Sequence, residues 1–344
     1  MKNYANRYMA TCAPGFEFVL AGEIADVFKH ANNLSQTRGK VTFDYTPPDM
    51  DINAVRCADN LYKLYRVFDV GPHKTDLGDI GSSVRDMDFG MGGQSVYRVE
   101  VSASRSGRQT YSRYDVAAQI EKSLISTGRF APGDHINHDL AVRADVADGS
   151  CYVYKQLTSA ETRFRGGAFQ SVPGGIRPSL AHCLVRLNNP EKRDIFYDPF
   201  CGAGTIPFER SYYKCGKIFA SDYDGGVLGI ARQNLGQSAV VFSADAAAMR
   251  LKAHSVNKVV TNMPWGRQVK VGDIGGLYRA FFAGLGRILT SDGAAVILTD
   301  QVSITEGLCE ELGLSCSCIA QLSLHGLHPV VFVIQIEPPT SLRA

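Results

Sequence analysis

A chain of 344 residues is long enough for two or three domains at roughly 150 residues each. Its composition, 45% apolar and 20% charged, excludes wholesale disorder. With 36 basic against 34 acidic residues the net charge is only +2, so any nucleic-acid surface must be local.

Nine cysteines, none in CxxC spacing, read as reduced thiols of a cytoplasmic protein rather than as a zinc or disulfide framework. The first twenty residues lack an apolar run followed by a small-residue cleavage site. Pure apolar runs such as 294–298 fall far short of the roughly 18 residues of a membrane span. Neither secretion nor membrane insertion is expected.

In chain order, a strand over 8–12 and a Pro14-Gly15 turn lead into an amphipathic helix over 16–30. Phe18, Val19, Ile24, Val27 and Phe28 form its buried side. The strand VTFDY follows and Pro47-Pro48 breaks it. Val55, Leu61, Leu64 and Val67 stand at near-helical spacing over 53–67. A Gly-, Asp- and Ser-rich stretch, 76–95, separates this unit from a strand over 97–104 and a helix over 115–128. Strands 140–146 and 151–157 flank Asp148-Gly149, a hairpin signal. Pro173-Gly174-Gly175 marks a boundary, after which strands and helices alternate regularly to the end. That rhythm predicts a parallel, doubly wound sheet.

Four motifs in this second half carry chemistry. DPFCGAGT (198–205) ends a strand, where an open α/β sheet binds its ligand. Gly202 and Gly204 allow close backbone approach, and Thr205 opens a helix whose first N–H groups suit an anion. The spacing is neither GxGxxG nor a phosphate loop, so a carboxylate ligand fits better than a pyrophosphate. A tight turn without ligand is the plain alternative. One unit downstream, Asp222 of SDYD suits two ribose hydroxyls, although turn acids are as common. Asp245 ends the next strand, as an acceptor for an adenine amine or as a helix cap.

The fourth motif is TNMPWG (261–266). An exocyclic base amine is a poor nucleophile because its lone pair is delocalised into the ring. The Asn262 side chain and the Met263 carbonyl would accept its two hydrogens and favour a pyramidal nitrogen. Pro264 stiffens the turn, and Trp265 would stack on an extruded base. Taken alone, the same residues make a proline turn over a buried Trp.

In this order the motifs resemble a class I AdoMet-dependent methyltransferase acting on a base amine. PGGIRPSLAHCLVRL (173–187) resembles the lead-in segment of the THUMP-domain RNA methyltransferases, and residues 101–124 and 140–157 resemble a THUMP domain. CAPGFEFVLAGEI resembles the family's N-terminal ferredoxin-like unit. The resemblance implies an α/β chain whose C-terminal Rossmann-like methyltransferase sheet (166–344) follows a ferredoxin-like α+β unit (1–70) and a THUMP domain (71–165). It implies methylation of guanine N2 in tRNA with S-adenosyl-L-methionine as cofactor, by a monomer; some relatives need a small activating protein. Asp198, Phe200, Gly202, Gly204 and Thr205 would line the methionine end. Asp222 would take the ribose and Asp245 the adenine. Ser179 would cap the lead-in helix near the amino-acid end.

The tetrad of that family is usually N/D-P-P-Y/F, whereas this chain reads N-M-P-W. The change leaves the carbonyl acceptor and a stacking ring in place but loosens the choice of base. Alternatives are therefore an amine methyltransferase for rRNA, DNA adenine or cytosine, or a small amine, and a catalytically inactive RNA-binding module. SRSGRQTYSRY (104–114) clusters Arg105, Arg108 and Arg113 with Tyr111 and Tyr114 and holds no acid. That mixture suits phosphate contacts and stacking on RNA, though a solvated loop is the common outcome. Arg163 and Arg165, before Gly166-Gly167, and Arg267, beside the tetrad, are further RNA candidates. The eight histidines suggest neither a metal site nor a triad, and His325 and His328 read as turn residues.

Overall fold

The computed structural model describes residues 6–46, 50–92, 96–166, 169–172, 174–266, 272–324 and 326–336. Pro47, Pro48, Gly167, Pro173, Arg267 and His325 lie outside the described residues. The front of the chain alternates β1 (Arg7–Thr11), α1 (Glu17–Val27), β2 (Asn32–Thr37), β3 (Lys40–Asp44), β4 (Asn60–Asp69) and α2 (Leu77–Arg85). It continues through β5 (Tyr97–Arg105), α3 (Arg113–Ile125), β6 (Phe130–Pro132), β7 (Leu140–Ala147), β8 (Ser150–Gln156) and the short α4 (Ala160–Arg163). These strands form one sheet in the order β2-β3-β1-β4-β8-β7-β5-β6. The proposed division at residue 70 therefore falls inside a continuous sheet, whose seam is the antiparallel β4–β8 pair.

Three local readings change. Residues 60–69 form a strand, not a helix. Tyr, Val and Phe favour the pleated backbone. A bulge between Leu64 and Arg66 puts Leu64 and Val67 on one face at a spacing of three, while Leu61 is buried on the opposite face in the shared core. Residues 77–85, read as part of a separator, form α2, which buries Ile80 and Val84. Gly81 lets it lie close to α3, since a Cβ there would stand 2.3 Å from Gln119 Nε2. On α1 the buried side is Val19, Leu20, Ala21, Glu23 and Ile24, and Phe18 is exposed.

The second half runs α5 (Pro178–Leu187), β9 (Ile195–Asp198), α6 (Thr205–Ser211), β10 (Lys217–Asp222), α7 (Gly225–Leu235) and β11 (Val240–Ser243). Then come β12 (Val256–Asn262), α8 (Ile274–Ile288), β13 (Leu289–Thr299), α9 (Val302–Glu311), β14 (Leu314–Gln321) and β15 (Val330–Ile336). The sheet order is β11-β10-β9-β12-β13-β15-β14. β15 pairs antiparallel with both neighbours and the other pairs are parallel. A short connection from β14 forces that reversal, because a parallel return needs a longer crossover.

The two halves share a core. Leu20, Ile24, Phe43 and Leu61 of the front cluster with Leu180, Leu184, Val260 and Leu298 of the back. At this joint the buried Glu209 carboxylate accepts two bonds from Arg56 (2.9 and 3.0 Å) and one from Arg165 (2.8 Å). His182 Nδ1 lies 2.8 Å away. The ring's Nε2 faces Glu23 at 3.1 Å and the Tyr213 hydroxyl at 2.8 Å.

Candidate active site

The order of the second sheet reverses direction between β9 and β12, the switch point where open α/β sheets bind ligands. Asp198 ends β9, Asp222 ends β10 and Asn262 ends β12, so neighbouring strands deliver them to one edge. Asp245 follows β11 on the same side.

Asp198 is buried. Its Oδ1 accepts from Thr261 Oγ1 (2.7 Å) and the Phe200 N–H (3.1 Å), while Oδ2 is buried without a hydrogen-bond partner among the described residues. Burial pushes this carboxyl up to about 7, and the nearby Asp222 charge adds to the rise against the two hydrogen bonds. Asp222 Oδ2 accepts from the Gly202 N–H (2.9 Å) and Oδ1 from the Asp224 N–H (3.0 Å), which ties the glycine turn to β10. Gly202 and Gly204 take φ of +50° and +85°, the region that favours glycine. They differ in surroundings. A Cβ on Gly204 would stand 2.9 Å from Leu235 Cδ1, whereas one on Gly202 would meet nothing within 4 Å. Gly204 thus serves packing and Gly202 faces open space. Phe200 packs beside Phe281, and Thr205 is a buried first residue of α6. Asp245 is exposed and caps the following turn through Ala247 N–H (2.8 Å).

At β12 the Asn262 Oδ1 is likewise buried and unpartnered among the described residues. Met263 is buried, and its N–H donates to the Leu298 carbonyl at 3.1 Å. The Pro264 carbonyl accepts from the Tyr278 hydroxyl (3.0 Å) and that of Trp265 from Gln301 Nε2 (3.1 Å). Trp265 is half-buried against the shared core, with its indole N–H buried and unpaired among the described residues. It is therefore more enclosed than a free stacking platform.

Three expected positions move elsewhere. Ser179 is the second residue of α5, not its cap, which is Arg177. Its hydroxyl donates to Asp59, so it fastens the joint. Tyr111 is 1% exposed and donates to the Gly71 carbonyl at 3.0 Å, a core residue and no stacking surface. Arg165 is held by Glu209 and by the Arg56 carbonyl (2.8 Å), which removes it from any RNA face. Arg163 lies over the Phe164 ring at 5.0 Å with its Nε buried. Arg105, Arg108 and Arg113 are exposed. Arg113 stacks over Tyr114 (4.8 Å), which is 69% exposed. Thr261, Tyr278 and Gln301 join the site as partners of its residues, and nothing local in the sequence marks those contacts, because the fold brings each pair together.

The chemistry of this edge suits a ligand with a positively charged end and a hydroxyl-bearing middle: the Asp198 Oδ2 is unpartnered among the described residues, Gly202 borders open space, and the Asp222 carboxylate ends the adjacent strand. A seven-stranded sheet with this order and these acids at its strand ends defines the class I methyltransferase fold, and its cofactor is S-adenosyl-L-methionine. Residues 165–328 match the UPF0020 family, described as RMKL-like, methyltransferase domain. The tRNA (guanine(6)-N2)-methyltransferase of Thermus thermophilus is 25% identical over 339 residues, spanning 95% of this chain and 98% of that protein. The protein of the same name from Archaeoglobus fulgidus is 21% identical over 376 residues, spanning 97% and 93%. The crystal structure of TrmN from Thermus thermophilus shares the fold with a TM-score of 0.82 at 21% identity, over 96% of this chain and 99% of that one. This chain is an S-adenosyl-L-methionine-dependent methyltransferase of class I.

Proposed function

We propose that the enzyme transfers a methyl group to the exocyclic N2 amine of a guanosine in tRNA. The observation that carries this reading is the Asn262 Oδ1, a buried acceptor without a partner among the described residues, on the strand next to the Asp198 carboxyl. End-to-end likeness to two proteins named for that reaction supports the choice of base and substrate.

S-adenosyl-L-methionine supplies an electrophilic methyl group when bound. Asp198, Phe200, Gly202 and Thr205 would hold its amino-acid end, with Gly204 packing the turn against Leu235, Asp222 would hold its ribose and Asp245 its adenine. The Asn262 Oδ1 and the Met263 carbonyl would accept hydrogen bonds from the two amine hydrogens, so that the nitrogen lone pair is localised on the open face; the one proton displaced by methylation leaves to solvent. The gain is orientation and electrostatic preorganisation, without a covalent enzyme intermediate. Pro264 and Trp265 shape the base pocket. Arg105, Arg108, Arg113 and Tyr114, at the end of β5, in the loop and at the start of α3, hold the tRNA backbone and an exposed base. No helix among the described residues is long and apolar enough to cross a membrane.

Labelled methyl groups should enter bulk tRNA and be recovered as N2-methylguanosine after digestion, and Asn262→Ala should nearly abolish incorporation. Label recovered instead on adenine or cytosine amines of DNA, or in small-molecule extracts, would replace this reading.

A further inference from the structure

The tetrad is held from outside by a hydrogen-bond relay. Tyr278 on α8 is fully buried, with its hydroxyl 3.0 Å from the Pro264 carbonyl and 2.6 Å from Thr299 Oγ1 at the end of β13. Thr299 Oγ1 in turn accepts from the Gln301 N–H at 2.9 Å. The Gln301 side-chain amide donates to the Trp265 carbonyl (3.1 Å) and to Asp300 Oδ1 (2.8 Å).

A carbonyl only accepts, so the direction of the relay follows. The single Tyr278 proton goes to Pro264, and the Thr299 hydroxyl donates to Tyr278. The consecutive carbonyls of Pro264 and Trp265 are therefore held by two side chains outside the tetrad. On the other side of the loop, the Met263 N–H is pinned to Leu298. These three ties act on successive residues, 263 to 265, directly after Asn262.

We infer that Tyr278 and Gln301 are positioning residues for amine activation. They hold the loop so that the Asn262 and Met263 acceptors meet the target amine in one geometry. The inference rests on the reading of residues 262–265 as the base-binding tetrad. Small displacements of such groups cost rate rather than affinity, because preorganisation acts on the reacting geometry.

Tyr278→Phe keeps the ring in its place against Phe282 and removes only the hydroxyl. Its kcat should fall at least tenfold, with KM for tRNA and calorimetric affinity for S-adenosyl-L-methionine within twofold of wild type. Gln301→Ala should behave alike and Gln301→Glu should not restore the rate, since an ionised carboxylate cannot donate to the Trp265 carbonyl. In an Asn262→Ala background, Tyr278→Phe should cost little further rate. A bystander hydroxyl that only stabilises the fold would lower both backgrounds equally. The chain's one tryptophan is Trp265, so acrylamide quenching of its emission reads the loop without any methyl transfer, and it should increase in both single variants. Wild-type kcat and quenching in Tyr278→Phe and Gln301→Ala would overturn the inference. An inactive wild type toward tRNA amines would instead overturn the tetrad reading, with the quenching result still judging the clamp.

Discussion

Two arginine-bearing segments of the front half look alike as sequence and end in opposite places. Arg105, Arg108 and Arg113 stand exposed around the β5–α3 loop, and among the described residues none of them forms an ion pair with an acid. Arg165, with Arg56, instead points into the joint, where Glu209 is wholly buried. The difference lies in the partner. A guanidinium enters an interior only when a carboxylate compensates its charge and fills its donors, and Glu209 stands 44 positions downstream of Arg165. Local composition cannot reveal that meeting. The exposed loop is free to serve a polyanion, and the joint is a structural lock between the front sheet and the methyltransferase sheet.

The largest expected effect breaks the lock. Glu209→Gln leaves two part-buried guanidinium groups and the His182 ring facing a neutral amide. Removing one member of a buried pair costs about 3–5 kcal/mol, and thermal unfolding should show a loss of that order. The pH dependence gives the sign. Burial alone would raise the Glu209 carboxyl, but the His182 hydrogen bond and the Arg165 and Arg56 charges outweigh it and bring it down to about 2. Its stabilisation is therefore complete above the ordinary carboxylate value of 4.5 and disappears as pH falls toward 2. Acid melting curves should lose that limb in Glu209→Gln. An unchanged acid limb would mean that the joint is held by the shared apolar core alone.

Next in size is the exposed counterpart. Changing Arg105, Arg108 and Arg113 together to Ala should leave the melting temperature nearly unchanged and weaken tRNA binding. The slope of log affinity against log salt should flatten by about 2–3, at roughly 0.7–0.9 for each phosphate that is no longer neutralised. Arg165→Ala should do the reverse, lowering stability while the slope stays put. If Arg165→Ala flattens the slope as well, the two segments are one RNA surface and the contrast fails.

Asp198 tests a third kind of buried charge, one with no cation paired to it among the described residues. Its carboxyl is raised from 3.8 to about 7 in the folded chain, so its contribution to stability is fully present below about 4 and is lost as pH rises through 7. Asp198→Asn should melt higher than wild type above about pH 7 when no cofactor is present, while binding S-adenosyl-L-methionine more weakly. Wild-type affinity should rise across neutrality as the carboxylate forms, and in Asp198→Asn this rise should disappear. A cofactor affinity independent of pH from about 6 to 8 in the wild type would remove Asp198 from the ammonium.

Much of the back half could be read directly, because parallel strands spaced by helices announce themselves by rhythm and the four motifs stand at successive strand ends. The front half was harder for particular reasons. β4 buries apolar residues on both faces, Leu61 on one and Leu64 on the other, and its bulge sets Val67 three positions after Leu64, so a strand carried helical spacing. Helix α2 depends on contact with α3 more than on its own Gly- and Ser-rich residues. Glu209, Thr261 and Tyr278 needed the fold, since each acts on a residue far away in sequence. Tyr111 is different, for its fate was written locally. Ser112 and Asp115 form a capping box, with Asp115 N–H to Ser112 Oγ at 3.2 Å and Ser112 N–H to Asp115 Oδ2 at 2.7 Å. That makes Tyr111 the residue before the cap and Val116 the fourth of the helix, the two positions of a hydrophobic staple. Both are buried in one core.

The two tyrosines of that loop give the smallest test and the cleanest separation. Tyr111→Phe keeps the ring in the core and loses only the bond to the Gly71 carbonyl, about 1 kcal/mol of stability, with tRNA affinity and its salt slope unchanged. Tyr114→Ala removes an exposed ring that rests on Arg113 and should leave the melting temperature within error. Because a stacked base contributes about 1–3 kcal/mol through its aromatic partner, the tRNA dissociation constant of Tyr114→Ala should rise by roughly 5- to 150-fold. Arg113 also loses the ring that orients it, through both the stacking and the 2.8 Å bond to the Tyr114 hydroxyl. Tyr114→Phe, which keeps the ring and drops the hydroxyl, should recover most of the affinity. Should Tyr114→Ala bind tRNA like the wild type while the triple arginine variant does not, the loop holds phosphates only, and no base rests on it.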